Sequence, residues 1–340
     1  MLKRTLLTLV LALVAAPAAH AAVLETPVSF SVRNSDDTAL KCATNGAAYT
    51  IRGHLVGQPA DIDRASGVTL YVHGLGFNES FWRYRKVPKY DLVGALATGG
   101  HVSVVIDRLG YGKSSKPPGT MSCMGGQATI VHQIVAKLRS GDYKGKRSPG
   151  FGRVGVIGHS AGGTIAALEN ETFDDTDALG LVASADQGLS QLGQRFSDES
   201  TKACNGDRSY PVPKRGYAAF GQTMADAEDG FFATTPDPIF ARLYPTLTVN
   251  PCGDLASYMN ANQLNRLDAS RVKDPVLTIQ ADRDALFPPP AVVPDEADLF
   301  TGSAKVTRQT LPSSAHAITF EADYLTLRTD IEQFLVENGL

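Results

Sequence analysis

The chain has 340 residues, 43% of them hydrophobic and 20% charged, which is enough apolar material for one large globular domain with an insertion or for two modest domains. Its formal charge of −3 comes with no basic stripe, no run of like charge and no interleaving of aromatic and basic residues, so the usual means of holding nucleic acid are missing.

Residues 1–21 open with Lys3 and Arg4, continue through an apolar run over 6–16 and reach Ala19-His20-Ala21 before Ala22. This is the pattern of a secretory signal peptide. Its apolar run is shorter than the roughly 20 residues that span a bilayer, and no later segment reaches that length without charge, so no stable membrane span is expected once the leader is removed. Loss of Lys3 and Arg4 would take the formal charge from −3 to −5. Export, to the periplasm or the medium, is the expected localisation. Four cysteines, Cys42, Cys123, Cys204 and Cys252, agree with an oxidising compartment. Three connectivities are possible. Pairing Cys204 with Cys252 is favoured, closing a loop worth about 4 kcal/mol in the chain-entropy model, and leaves Cys42 for Cys123. No CxxC or Cys/His cluster points to a metal.

Short β-rich runs then follow in order over 28–33, 49–55, 68–72, 101–106, 153–157, 179–183, 276–280 and 306–310. The middle and later ones are nearly continuously apolar, as strands buried on both faces must be. Helical patterns occupy 127–138, 161–168 and 324–336. The alternation predicts an α/β fold, a mostly parallel sheet with helices on both faces. One interval breaks the rhythm. From 187 to 272 there is no comparable apolar strand, two of the four cysteines fall here, and so do nine of the 26 aromatic residues. It reads as an inserted cap, its aromatics mostly forming a small core of their own and in part roofing an apolar pocket. The expected organisation is therefore a leader at 1–21, a core formed by 22–186 with 273–340, and a cap at 187–272.

Gly158-His159-Ser160-Ala161-Gly162 matches G-x-S-x-G, follows a predicted strand and opens a small-residue helix. At such a bend a serine hydroxyl is exposed, and glycines admit neighbouring backbone where a Cβ would collide. A serine hydroxyl is a weak nucleophile until a base takes its proton, and that base needs a carboxylate to orient it. Of seven histidines only His316 lies C-terminal to Ser160, in the loop after the last strand. The acid should leave a strand tip between them. After 276–280 comes Ala281-Asp282-Arg283-Asp284, where Asp284 is the choice and Asp282 an alternative; Asp186, past the sixth strand, is the outside candidate. His73-Gly74-Leu75-Gly76-Phe77 follows the third strand and can turn its amides toward the serine, the Leu75 NH acting with that of Ala161 as an oxyanion hole. His73 itself reads as structural. The segment 107–114, DRLGYGKS, reads as a turn shaping the pocket wall rather than a phosphate site.

Together HGLGF at 73–77, DRLGYGKS at 107–114, GHSAGG at 158–163, ADRD at 281–284 and AHA at 315–317 resemble the α/β-hydrolase superfamily, in order and over nearly the whole mature chain. The resemblance implies an α/β-hydrolase fold, an eight-stranded, mostly parallel sheet with a cap inserted after the sixth strand. Ala281 stands where a glycine is common. A serine nucleophile argues against the haloalkane dehalogenase and epoxide hydrolase branches, and Ala161 departs from the tryptophan typical of proline iminopeptidases. The reading that follows is a cofactor-free serine hydrolase acting on a small-molecule carboxylic ester through an acyl-enzyme. The rivals are the same triad on a peptide, thioester, lactone or carbon-carbon bond, and a non-catalytic binding protein on the same scaffold.

Overall fold

The computed structural model of the protein describes residues 22–210, 214–287 and 296–340. The leader expected at 1–21 lies outside the described residues.

The chain enters through two long strands, β1 (Leu24–Arg33) and β2 (Ala48–Gly57), and a short helix, α1 (Pro59–Arg64). It then alternates through β3 (Gly67–Val72), α2 (Leu92–Thr98), β4 (Ser103–Asp107), α3 (Met124–Ser140), the two-residue β5 (Lys144–Gly145), β6 (Arg153–His159), α4 (Ala161–Phe173) and β7 (Ala178–Val182). The interval that follows carries α5 (Gln191–Cys204), β8 (Tyr217–Ala218), α6 (Met224–Phe231), α7 (Asp237–Leu243), β9 (Asn250–Pro251) and α8 (Cys252–Asp268). The chain closes with β10 (Val276–Ala281), β11 (Val306–Leu311) and α9 (Tyr324–Asn338).

Nine strands form one sheet in the order β11-β10-β7-β6-β3-β4-β2-β1-β5. From β11 to β4 all neighbours are parallel, and β2, β1 and β5 extend the sheet antiparallel. All eight expected strands are present within a few residues of their predicted bounds. The ninth, β5, pairs only with Val28 and Ser29 at the edge; both its residues are exposed, so no apolar run announces it.

Every residue of β3, β4 and β7 is buried. Strands with no wet face need helices on both sides, and the crossovers supply them. Passing from β3 to β4 through α2 moves one way along the sheet, whereas β4 to β6 through α3 and β6 to β7 through α4 move the other way. Right-handed crossovers in opposite directions put their helices on opposite faces. Accordingly α3 packs with α4, and α2 with α9.

Among the described residues the interval between β7 and β10 gives no strand to this sheet; β8 and β9 pair with each other in a separate two-stranded ribbon. Its last helix, α8, lies against α3 and α4. Disulfides join Cys42 to Cys123 and Cys204 to Cys252, the favoured pairing, with Cα–Cα separations of 6.1 and 5.7 Å. The second ties the end of α5 to the start of α8.

Parallel β3, β6, β10 and β11 all end on the same edge of the sheet. The residues that follow them are the glycine loop, Ser160, Asp284 and His316, at the position where open α/β sheets gather ligands.

Candidate active site

Ser160 is the single residue between β6 and α4, with φ 52° and ψ −126°. That is a left-handed backbone value that non-glycine residues seldom take, and the surroundings hold it there. The Ser160 amide donates to the Val182 carbonyl at 3.0 Å, and the Ser184 hydroxyl donates to the Ser160 carbonyl at 3.0 Å. The flanking glycines are steric necessities: a Cβ on Gly158 would lie 2.1 Å from the Gly162 carbonyl oxygen, and one on Gly162 would lie 2.3 Å from that of Val72. The pentapeptide is thus legible as a bend that only these residues can make. Its next residue, Ala161, heads α4 at the positive end of the helix dipole.

The carboxylate that meets His316 is that of Asp284. His316 Nδ1 lies 2.8 Å from Asp284 Oδ2, the two side chains being 2% and 6% exposed. Asp284 Oδ1 meanwhile accepts from the Leu286 amide at 2.9 Å, so both oxygens are engaged and the carboxylate is fixed. Donation through Nδ1 leaves the His316 Nε2 lone pair as the basic site. Asp282 is exposed in the turn, its amide bonded to the Leu311 carbonyl. Asp186 is buried elsewhere: its amide donates to the Glu296 carboxylate at 2.9 Å, and burial pushes its carboxyl up to about 7.

The elbow and the histidine loop are joined through His159. Its Nε2 donates to the His316 carbonyl at 2.9 Å, and the two rings lie 4.8 Å apart. Burial holds the His159 imidazole well below its ordinary pKa, with the neighbouring His316 adding to the effect, so it is a neutral strut. Phe231 and Phe287 bracket His316 at centroid distances of 5.9 and 5.5 Å. Phe231, from the interval between β7 and β10, is the aromatic of that interval in ring contact with His316; Phe196 and Phe220 pack with one another at 5.6 Å.

The glycine loop lies against the elbow: a Cβ on Gly74 would meet His159 Nδ1 at 2.8 Å and the Ser160 Cβ at 2.9 Å. No hydrogen bond among the described residues takes up the amide of Leu75 or of Ala161. The next amide, that of Gly76, is held: it donates to Asn250 Oδ1 at 2.6 Å, while Asn250 Nδ2 donates to the Ala218 carbonyl. Behind the loop, His73 donates from Nδ1 to the Gly74 carbonyl and accepts at Nε2 from the Arg108 amide. Burial, with the Arg108 charge second, keeps His73 well below its ordinary pKa. Its ring thus links the glycine loop to the start of the 108–114 turn. The Arg108 guanidinium bonds the Gly74 carbonyl and pairs with Asp254 at 3.1 Å, both side chains fully buried; Tyr111, Ser122 and Gln127 also donate to that carboxylate. In the 107–114 turn the Asp107 carboxylate accepts from the amides of Glu79 and Lys113, so the segment is closed upon itself.

Asn250 and the Arg108–Asp254 pair were invisible in the sequence. Asn250 is separated from Gly76 by 174 residues, and no spacing rule connects them.

A cavity of about 270 Å³ borders this arrangement, lined among others by Gly76 of the glycine loop, Phe231, Phe220, Ala227, Tyr244 and Leu247. The interval that forms most of it is fastened beside His316. The Ala317 amide donates to the Phe231 carbonyl at 2.7 Å, and the buried Glu321 carboxylate accepts from the amides of Ala233 and Thr234 and the hydroxyls of Thr234 and Thr235.

A family model described as the alpha/beta hydrolase family matches residues 70–325. The chain belongs to that family. No curated protein matches the sequence of this hydrolase-family chain. Among solved structures it is similar to a thermophilic esterase from Thermogutta terrifontis (16% identity, 92% of this chain and 100% of that one, TM-score 0.61). It is also similar to a monoacylglycerol lipase from Paleococcus ferrophilus (18%, 80% and 94%, TM-score 0.57) and to an esterase from Exiguobacterium antarcticum (16%, 86% and 96%, TM-score 0.57). At these identities the likeness is one of fold. No helix among the described residues is long and apolar enough to cross a membrane.

Proposed function

We propose that this alpha/beta hydrolase family member is an exported serine esterase that cleaves carboxylic esters through an acyl-enzyme. Ser160 Oγ attacks the ester carbonyl carbon while His316 Nε2 takes its proton. The amides of Leu75 and Ala161 donate to the carbonyl oxygen as it becomes an oxyanion. Collapse breaks the bond to the alkoxy oxygen, which leaves as the alcohol with the proton from His316. Water, deprotonated by the same imidazole, then attacks the acyl-enzyme and releases the acid and Ser160. Asp284 holds the imidazole in the tautomer with Nδ1 protonated and stabilises its cationic form. The reaction draws on no cofactor.

The observation that carries this reading is the 2.8 Å contact of Asp284 with His316 on the loop that His159 binds to the Ser160 elbow. The 187–272 interval, read as a cap, supplies a substrate wall. Its cavity of about 270 Å³, lined largely by apolar side chains, suits a short acyl or alcohol chain. The similar folds include an esterase and a lipase, which supports the same reading, and two disulfides suit the oxidising compartment of an exported protein.

Purified protein should hydrolyse p-nitrophenyl butyrate faster than the dodecanoate and react with a fluorophosphonate probe. Ser160→Ala should lose both while keeping its circular dichroism spectrum. Undiminished turnover in that variant would remove Ser160 from the mechanism.

A further inference from the structure

The helix that begins at Ser160 ends at a second cluster of chemistry-bearing side chains. His132 on α3, Glu169 on α4 and Asp175 in the turn before β7 each present a ligand atom, all within 4.8 Å of one another. His132 Nδ1 is 2.7 Å from Asp175 Oδ2, and its ring is set by a stack on Phe173 with centroids 4.0 Å apart and planes at 13°. Glu169 is 0% exposed, and neither of its oxygens accepts a hydrogen bond from an N–H or O–H donor among the described residues. Asp175 Oδ1 is buried in the same condition.

The neighbouring donors are committed elsewhere. Arg139 pairs with Asp177 and bonds the Asp175 carbonyl, while Asn170 and Thr176 both donate to Asp274. Burial first, and then a hydrogen bond shared with the Asp175 carboxyl group and its charge, push the Glu169 carboxyl well above its ordinary range. A buried carboxylate in this position calls for a proton or a cation. A cation has a further advantage here, because the C-terminal end of α4 carries partial negative charge.

We propose that His132, Glu169 and Asp175 bind a divalent transition-metal ion of the character of Zn²⁺, which clamps α3, α4 and the turn before β7 together. One imidazole with two carboxylates is a ligand set for zinc and its neighbours, whereas an all-oxygen set would favour calcium or magnesium. Metal–ligand distances of about 2.0–2.1 Å set tetrahedral ligands roughly 3.3 Å apart, so Nδ1 and Oδ2 must part by about half an ångström. His132, whose side chain is 34% exposed, can make that shift. Glu169 lies nine residues along α4 from Ser160, a rise of about 14 Å, beyond contact with a substrate on the serine, which makes the site structural rather than catalytic. Its three residues are scattered in the sequence, so no metal-binding spacing betrays them.

The test uses the full mature chain stripped by a chelator, then titrated with ZnCl2 and, in parallel arms, with CaCl2 and MgCl2. Bound metal per chain is read by mass spectrometry and the melting temperature by fluorimetry. Wild type should take up one zinc and melt roughly 5 °C higher at free zinc a hundred times the dissociation constant, with no response to calcium or magnesium. Glu169→Gln and His132→Ala should lose the uptake and the shift while still hydrolysing p-nitrophenyl butyrate at the wild-type rate. Stripped wild type that neither binds zinc nor changes its melting temperature, or variants that bind as wild type does, would overturn the proposal and leave a shared proton as the cluster's cation. Because the readouts are metal content and melting, this outcome is independent of whether Ser160 is the nucleophile.

Discussion

Replacing Asp284 by asparagine removes one charge and almost no volume, at a position where Oδ2 lies 2.8 Å from His316 Nδ1 and both side chains are buried. In the proposed acylation step His316 becomes a cation. At an effective dielectric of about 20 and the observed separation, the attraction between that cation and the Asp284 carboxylate is about 6 kcal/mol. At about 1.4 kcal/mol per factor of ten, that is roughly four powers of ten in rate. The amide also stabilises the wrong imidazole tautomer, an effect in the same direction. Steady-state hydrolysis of p-nitrophenyl butyrate by Asp284→Asn should therefore fall about 10⁴-fold in kcat with a modest change in KM. Asp282→Asn, in an exposed turn, should stay within a few-fold of wild type. Thermal melts of both variants separate lost chemistry from lost fold. If Asp284→Asn retains a tenth or more of the wild-type kcat, or Asp282→Asn falls as far, the assignment of the orienting acid is wrong.

Three further outcomes follow from other parts of the molecule. Asn250→Ala deletes the acceptor that holds the Gly76 amide at 2.6 Å, so the glycine loop loses its register; kcat for ester hydrolysis should drop about 10- to 100-fold with the melting temperature changing far less in proportion. Breaking the Cys204–Cys252 bridge by a double alanine substitution frees a 48-residue separation, and denaturant melts should show a loss of about 4 kcal/mol that a reductant does not enlarge further through this bond. Burial pushes the Glu171 carboxyl from 4.5 up to about 9, with the charges of Asp268 and Glu296 adding to it, and Asp186 from 3.8 up to about 7. An acid whose pKa is higher folded than unfolded binds more protons in the native state, so its contribution is complete below the unfolded value and disappears once pH exceeds the folded one. Melting temperature should accordingly decline from pH 5 toward pH 9. Glu171→Gln, which mimics the protonated side chain, should flatten that decline; an equally steep profile in the variant would show that Glu171 is not its source.

Much of this molecule was written locally. The apolar runs that became β3, β4, β6 and β7 needed no partner to be recognised, because a strand buried on both faces has no polar side to show. The elbow was legible for a similar reason: Gly158 and Gly162 each sit where a Cβ would overlap backbone, a demand that a short stretch of sequence can state. Chain order then singled out His316, since no other histidine lies beyond Ser160. By contrast, β5 was missed because two exposed residues at a sheet edge leave no hydrophobic trace.

What tertiary structure alone decided was which distant groups meet. Asp282 and Asp284 belong to the same turn, and only the path of the chain after β10 aims the second at His316 while leaving the first in solvent. Asn250, the buried pairing of Arg108 with Asp254, and the convergence of His132, Glu169 and Asp175 likewise depend on contacts between segments far apart in the chain. Periodicity and residue type record whether a side chain is to be buried, and glycine records where backbone must bend or touch. Neither records which polar group will satisfy which, because that is settled by the directions in which folded elements finally point.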